Sequence, residues 1–184
     1  MLSLLARKAL FFAALKHTGQ YRKGVQVPYI VHPVQVAFGV SKYTGDDEVI
    51  SAAFLHDVLE DCHDVSVDML EKEFNTRIAH LVDEVSILRG NTYVTWKEKK
   101  VAYLEKIKHA SKNALLIIAI DKMSNLQAYF EMLKNTSGKT VSGFGGTPDE
   151  YRWYYTEIEN ILLSKLPDHP VTKDYSTIWQ SYKK

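Results

Sequence analysis

The chain has 184 residues, a formal net charge of +1, 46% hydrophobic and 24% charged residues. That is the profile of an ordinary globular chain, long enough to bury one real core. Near-neutral charge excludes a general pull toward nucleic acid or a membrane surface, so an anionic ligand has to be met by a local cluster of cations.

The N-terminal stretch Met1-Leu2-Ser3-Leu4-Leu5-Ala6-Arg7-Lys8 carries its charges after the apolar start rather than before it, which argues for a core helix over a leader. Leu2, Leu5, Ala9 and Phe12 run at helical spacing, and the helix is expected to span about residues 2–17. A polar, irregular connection follows over 20–33, containing Gln20-Tyr21-Arg22-Lys23-Gly24. Pro33 fits the first position of a second helix, with His32 in its cap region. Thr44-Gly45-Asp46 punctuates the chain before a helix that carries Ala52 to Cys62. Ser66 can cap a short helix through Phe74, and Ile78, Leu81, Val82 and Val85 face inward on the next. Arg89-Gly90-Asn91 breaks that helix. Thr95 with Glu98 reads as a capping box opening a basic amphipathic helix to about His109.

The longest helical stretch, about 113–133, is apolar all round in its first half and is expected to be central. Its apolar run, Ala114 to Ile120, is far short of the roughly 20 residues a membrane span needs. Asn135 to Thr147 reads as a mobile loop, and the sequon Asn135-Thr136-Ser137 within it is discounted because nothing suggests secretion. Thr147-Pro148-Asp149-Glu150 is a second capping box, and Pro167 and Pro170 precede a last short helix. The expectation is a single all-α domain over 1–184, a helical bundle whose motif core covers about 17–126 with helices in 148–183 packed on it. The single cysteine, Cys62, excludes an intrachain disulfide and fits a reducing, cytoplasmic setting.

Chemistry concentrates in Leu55-His56-Asp57-Val58-Leu59-Glu60-Asp61-Cys62. On one continuous helix His56 and Glu60 share a face, as do Asp57 and Asp61, while Ala52, Leu55, Leu59 and Cys62 form an apolar stripe. Packing has no need of four ionisable groups in six positions, whereas imidazole and carboxylate together suit a divalent transition metal. Asp121, at the end of the apolar run, needs a partner if it is buried; Asn125 shares its face. With His32, these residues make a set of two histidines and two carboxylates that admits Mn²⁺, Fe²⁺ or Zn²⁺. His17, His63, His80, His109 and His169 lack such a setting and read as surface or structural.

The ordered set His32-Pro33, His56-Asp57-x-x-Glu60-Asp61 and Asp121-Lys122-x-x-Asn125-Leu126 resembles the HD superfamily of metal-dependent phosphohydrolases. With His17-Thr18-Gly19-Gln20-Tyr21-Arg22-Lys23-Gly24 and Pro28-Tyr29-Ile30-x-His32-Pro33, it is similar to the hydrolase domain of RelA/SpoT-type alarmone enzymes and their small stand-alone, Mesh1-like relatives. The resemblance implies that His32, His56, Asp57 and Asp121 hold a metal, usually Mn²⁺, with Glu60 and Asp61 beside the attacking water. It implies that Arg22 and Lys23 meet the guanine and phosphate end of a nucleotide and that Lys122 and Asn125 line the same pocket. The implied reaction, part of the stringent response, removes the 3′-pyrophosphate from guanosine tetra- or pentaphosphate (ppGpp, pppGpp). The implied partner is a small nucleotide, with neither nucleic acid nor membrane involved. A broader HD phosphohydrolase acting on another phosphoester, and a nucleotide sensor without turnover, are the competing readings. Trp153-Tyr154-Tyr155 falls where aromatic residues close over the nucleotide in such proteins, although aromatics on a helix are more often core. Lys97, Lys99, Lys100, Lys106 and Lys108 face either phosphates or solvent.

Overall fold

The computed structural model describes residues 2–87, 93–135 and 145–183. Its helices are α1 (Leu4–Lys16), α2 (Val31–Val40), α3 (Asp47–Leu55), α4 (Val58–Asp61), α5 (Val67–Glu73), α6 (Thr76–Val85), α7 (Trp96–Ile107), α8 (Lys112–Asn135), α9 (Pro148–Lys165) and α10 (Pro170–Tyr182). Among the described residues the sole β feature is an isolated bridge between Tyr21 and Pro28. The all-α expectation holds. The expected break at Arg89-Gly90-Asn91 and most of the expected 135–147 loop lie outside the described residues.

Several helix starts are fixed by the residues that announced them. Asp46 accepts from the amides of Glu48 and Val49 at the head of α3, and Ser66 accepts from Met69 at α5. Thr95 with Glu98 and Thr147 with Glu150 form reciprocal capping boxes at α7 and α9, Pro148 opening the latter. Each satisfies amides that have no carbonyl one turn back.

Helix α3 is the centre, buried at every position from Val49 to Leu55 and packed against α1, α2, α6 and α8. Ala6, Ala9 and Ala13 give α1 a flat face on which the core closes. In α8, Ala114 to Ile120 are all buried, as the apolar run requires, and this helix packs against α2, α3, α6, α9 and α10. Gly39 sets how closely α2 meets α8: a Cβ there would lie 2.4 Å from Ile120 Cγ2, so a side chain cannot fit without movement. The C-terminal helices join the same buried cluster. The Tyr155 ring lies 5.6 Å from Trp179, and the Tyr175 hydroxyl donates to the Tyr155 carbonyl at 3.1 Å.

Two local expectations need correction. Pro33 is the third residue of α2, whose N-cap is Ile30, so His32 lies inside the first turn. The first turn tolerates this because its amides have no intrahelical acceptor. The chemical motif is also not one helix. α3 ends at Leu55, the chain turns through His56 and Asp57, and α4 starts at Val58. Asp57, at φ −97° and ψ −7°, is the N-terminal flank of α4, and its carbonyl accepts from both Glu60 and Asp61. The expected stripe nevertheless forms, because Ala52, Leu55, Leu59 and Cys62 are all buried.

Candidate metal centre

The turn after α3 aims two successive side chains into one space. His56 Nδ1 lies 2.9 Å from the Ala53 carbonyl, using the open acceptor at the helix end, and this leaves Nε2 facing outward. Asp57 Oδ2 stands 3.0 Å from that Nε2. From α2, His32 brings its own Nε2 to 3.3 Å from His56 Nε2 and 3.5 Å from Asp57 Oδ2. From α8, Asp121 Oδ1 lies 3.0 Å from His32 Nε2 and 3.7 Å from His56 Nε2. The three helices that pack around the core therefore converge on four donor atoms. His32, His56 and Asp57 each offer one donor within 4.8 Å of the others, a grouping that could hold a metal ion.

Each candidate ligand has an orienting partner behind it. Tyr29 donates its phenol to Asp57 Oδ2 at 2.7 Å. Ser124 Oγ lies 3.3 Å from His32 Nδ1, and Asn125 Nδ2 donates to Asp121 Oδ1 at 2.6 Å. Such second contacts fix tautomer and ring orientation in metal sites. Neither Tyr29 nor Ser124 was singled out for a role from sequence. Tyr29 stood within a matched motif, and Ser124 carries no local signal at all.

The electrostatics fit a cation. Burial pulls His32 below the ordinary imidazole range. Burial also opposes charge on His56, but Asp57 and Asp121 outweigh it and drive that group well above its usual value. Burial would raise Asp57, yet the two imidazoles hold it far down. Asp121 is likewise held down against burial, chiefly by Lys122, whose Nζ lies 2.5 Å from Oδ2. The two carboxylates thus favour positive charge at the centre of the cluster. Two imidazole nitrogens and two carboxylate oxygens suit a first-row divalent ion.

Glu60 and Asp61 sit on α4 beside this cluster. Burial, then the charge of Asp57, pushes Glu60 up to about 7. Its Oε1 accepts the Ile87 amide at 2.7 Å, which leaves Oε2 with no partner among the described residues. Asp61 is raised too, first by loss of solvent and then by Asp57. Arg22 reaches Asn125 Oδ1 at 3.2 Å and lies over the Tyr29 ring. Its loop is shaped by the Tyr21–Pro28 bridge and by left-handed Gly24. Lys23 is exposed and makes no hydrogen bond or ion pair to a described residue. The structure thus gathers His32, His56, Asp57, Glu60, Asp121, Lys122, Asn125 and Arg22, and leaves Lys23 outside. Tyr154 and Tyr155 are buried, while Lys100 and Lys106 are drawn in rather than solvated.

Fold and site together define a helical protein with a buried His/Asp cluster that could hold a divalent metal. The chain belongs to the HD domain family, whose sequence profile matches residues 9–141. It is 31% identical over 176 residues to a guanosine-3′,5′-bis(diphosphate) 3′-pyrophosphohydrolase of Borreliella burgdorferi, covering 93% of this chain and 26% of that protein. It is 35% identical over 126 residues to MESH1 of Xenopus tropicalis, which bears the same enzyme name, covering 67% of this chain and 68% of that one. The chain therefore spans about a quarter of the bacterial relative and about two thirds of the animal one. A solved structure of a metazoan ortholog of SpoT superposes with a TM-score of 0.78 at 27% identity, covering 98% of this chain and 96% of that one. That ortholog is described as hydrolysing ppGpp and playing a role in starvation responses.

Proposed function

We propose that this chain is a metal-dependent hydrolase that removes the 3′-pyrophosphate from guanosine tetra- or pentaphosphate. The observation that carries the reading is the convergence of α2, the α3–α4 turn and α8 on four donor atoms, with Glu60 alongside, in a chain whose relatives bear that enzyme name.

In this reading His32, His56, Asp57 and Asp121 hold the ion, with Mn²⁺ as the expected metal and Fe²⁺ or Zn²⁺ as alternatives, in a cytoplasmic setting. The ion supplies positive charge that polarises a phosphoryl oxygen and makes an attacking water more acidic. Glu60 takes a proton from that water; with a pKa near 7 it is poised to do so at neutral pH. Asp61 orients the same water from the exposed side. The new bond joins the water oxygen to the phosphorus attached to the ribose 3′-oxygen. The bond to that 3′-oxygen breaks, and the oxygen leaves with a proton, giving pyrophosphate and the 5′-di- or triphosphate. Arg22, with Asn125, holds the nucleoside end, Arg being able to stack on a base or fork onto phosphate, and Lys23 meets anionic groups from the loop edge. The four ligands and both acids fall within one unit, read as a single HD-type domain over 1–184.

The test is purified protein with Mn²⁺ and guanosine tetraphosphate, following pyrophosphate and guanosine diphosphate. Turnover is expected, and loss of it in Asp57→Ala and Glu60→Ala. An intact substrate, with another phosphoester cleaved in its place, transfers the site to a broader HD phosphohydrolase. Tight nucleotide binding without hydrolysis under any metal makes it a sensor.

A further inference from the structure

Asp121 has a different neighbour on each oxygen. Asn125, and through it Arg22, lies on Oδ1, the side of the imidazoles. Lys122 lies on Oδ2. Beyond Lys122 is a second set of groups that the ligand cluster does not explain. Lys122 Nζ stands 5.0 Å from the centre of the Tyr103 ring, and Lys100 Nζ stands 4.8 Å from that of Tyr154. Lys100 has no carboxylate partner among the described residues, although it is drawn in from solvent between Tyr154 and Trp96. Burial, then the charge of nearby Lys122, lowers it to about 7. The Tyr154 hydroxyl is buried without a hydrogen-bond partner among the described residues, in a residue only 2% exposed.

Neither feature is what a finished core contains. A buried hydroxyl left unpaired is destabilising, and two cations close together repel. One polyanion in contact with both ammonium groups and the phenol removes both penalties. The position of Lys100 is built, not accidental. Trp96, one turn earlier on α7, packs on Tyr151 at 4.9 Å and edge-on to Tyr154 at 5.7 Å, and the backbone of Gly145 and Gly146 covers its ring. This clamp holds α7 against α9 and keeps Lys100 within reach of the charge of Glu60.

We propose that Lys100 and the Tyr154 hydroxyl form an anion subsite, on the Lys122 side of the cluster, for the distal phosphate of the departing pyrophosphate. The nucleoside end lies on the Arg22–Asn125 side, and the scissile phosphorus lies between, beside Glu60. The subsite makes the chain selective for a 3′-pyrophosphate over a 3′-monophosphate. This assignment of substrate parts rests on the hydrolase reading above.

The experiment compares wild type, Lys100→Met, Lys100→Arg and Tyr154→Phe on guanosine tetraphosphate and on guanosine 5′-diphosphate 3′-monophosphate, with circular dichroism to verify folding. Lys100→Met is expected to lower kcat/KM for the tetraphosphate at least tenfold, mainly through KM, while the monophosphate analogue changes less than twofold. Lys100→Arg restores part of the loss, and Tyr154→Phe shows a smaller loss with the same selectivity. Equal losses on both substrates, or none in a folded Lys100→Met, overturn the subsite and leave the hydrolase reading intact. Binding of inorganic pyrophosphate by the Mn²⁺-loaded protein, measured by calorimetry, separates the two ideas. If wild type leaves the tetraphosphate uncut yet binds pyrophosphate, and Lys100→Met binds it at least tenfold more weakly, the subsite stands and the hydrolase reading falls. If Lys100→Met binds pyrophosphate as wild type does, the subsite falls.

Discussion

Tyr29 holds Asp57 in place: its phenol donates to Oδ2 at 2.7 Å, the same oxygen that lies 3.0 Å from His56 Nε2. The burial of this phenol and the nearby carboxylates drive its own pKa far up, so it donates at every working pH. Removing the hydroxyl frees the carboxylate to rotate without emptying the site. Tyr29→Phe is expected to weaken metal binding by about 10–100-fold, the usual effect of losing an orienting partner. Titration of the apo-protein with Mn²⁺ measures it; an unchanged affinity would show that Asp57 needs no such support.

Metal removal gives a second expectation. A ligand at about a hundredfold excess over its Kd stabilises the folded state by about 2.7 kcal/mol. For a chain of this length that is a rise in Tm of about 5–10 °C. Mn²⁺ should therefore raise the Tm of chelated protein by that amount, and Asp57→Ala or His56→Ala should abolish the rise. A shift that persists in both variants would place the metal elsewhere.

The third concerns Glu60 and pH. In the proposed role as base Glu60 works ionised, so activity should fall as pH drops below its pKa of about 7. Stability runs the other way. A carboxyl raised on folding contributes most below its unfolded pKa, and that contribution is lost as pH rises through about 7. Glu60→Gln, which keeps an acceptor for the Ile87 amide, should be more stable than wild type at pH 8 by about 3 kcal/mol and equal to it at pH 4. Denaturant curves at the two pH values decide this, and a wild type that is the more stable at pH 8 would refute it.

Gly39 offers a test of how the ligands are positioned. An added Cβ must displace Ile120, next to Asp121, so Gly39→Ala should cost about 1–3 kcal/mol and loosen metal binding. Pairing it with Ile120→Ala, which removes the clashing Cγ2, should restore part of both. Were the double variant no better than the single, the α2–α8 approach would not be what aligns His32 with Asp121.

Much of the architecture is written locally. Ser66, Thr95, Glu98, Thr147 and Pro148 mark helix starts because capping needs only three or four consecutive residues. The run Ala114 to Ile120 announces a central helix because hydrophobicity on every face leaves no side for water. The turn at His56–Asp57 was not legible in this way. Periodicity continues across it, and the break depends on His56 capping Ala53 and on Ser86 of the α6 end meeting the His56 carbonyl at 3.3 Å. Likewise Lys100 looked like one charge on a solvated face: Trp96 lies one turn earlier, but nothing nearby in sequence reveals that Tyr154 closes over it from α9.

The segment from Ala52 to Cys62 shows the division. By itself the sequence pointed to metal-binding chemistry there, because imidazoles and carboxylates in an apolar stretch demand a compensating charge. The resemblance to the HD superfamily added His32 and Asp121 to the same expected set. Only the tertiary structure decided how. Packing of α2 and α8 on α3 brings donors 89 residues apart to 3.0 Å, and a turn rather than a continuous helix aims His56 and Asp57 at the same point. A helix fixes the direction of neighbouring side chains locally, but a coordination site needs directions from several elements, and those are set by the core on which the elements pack.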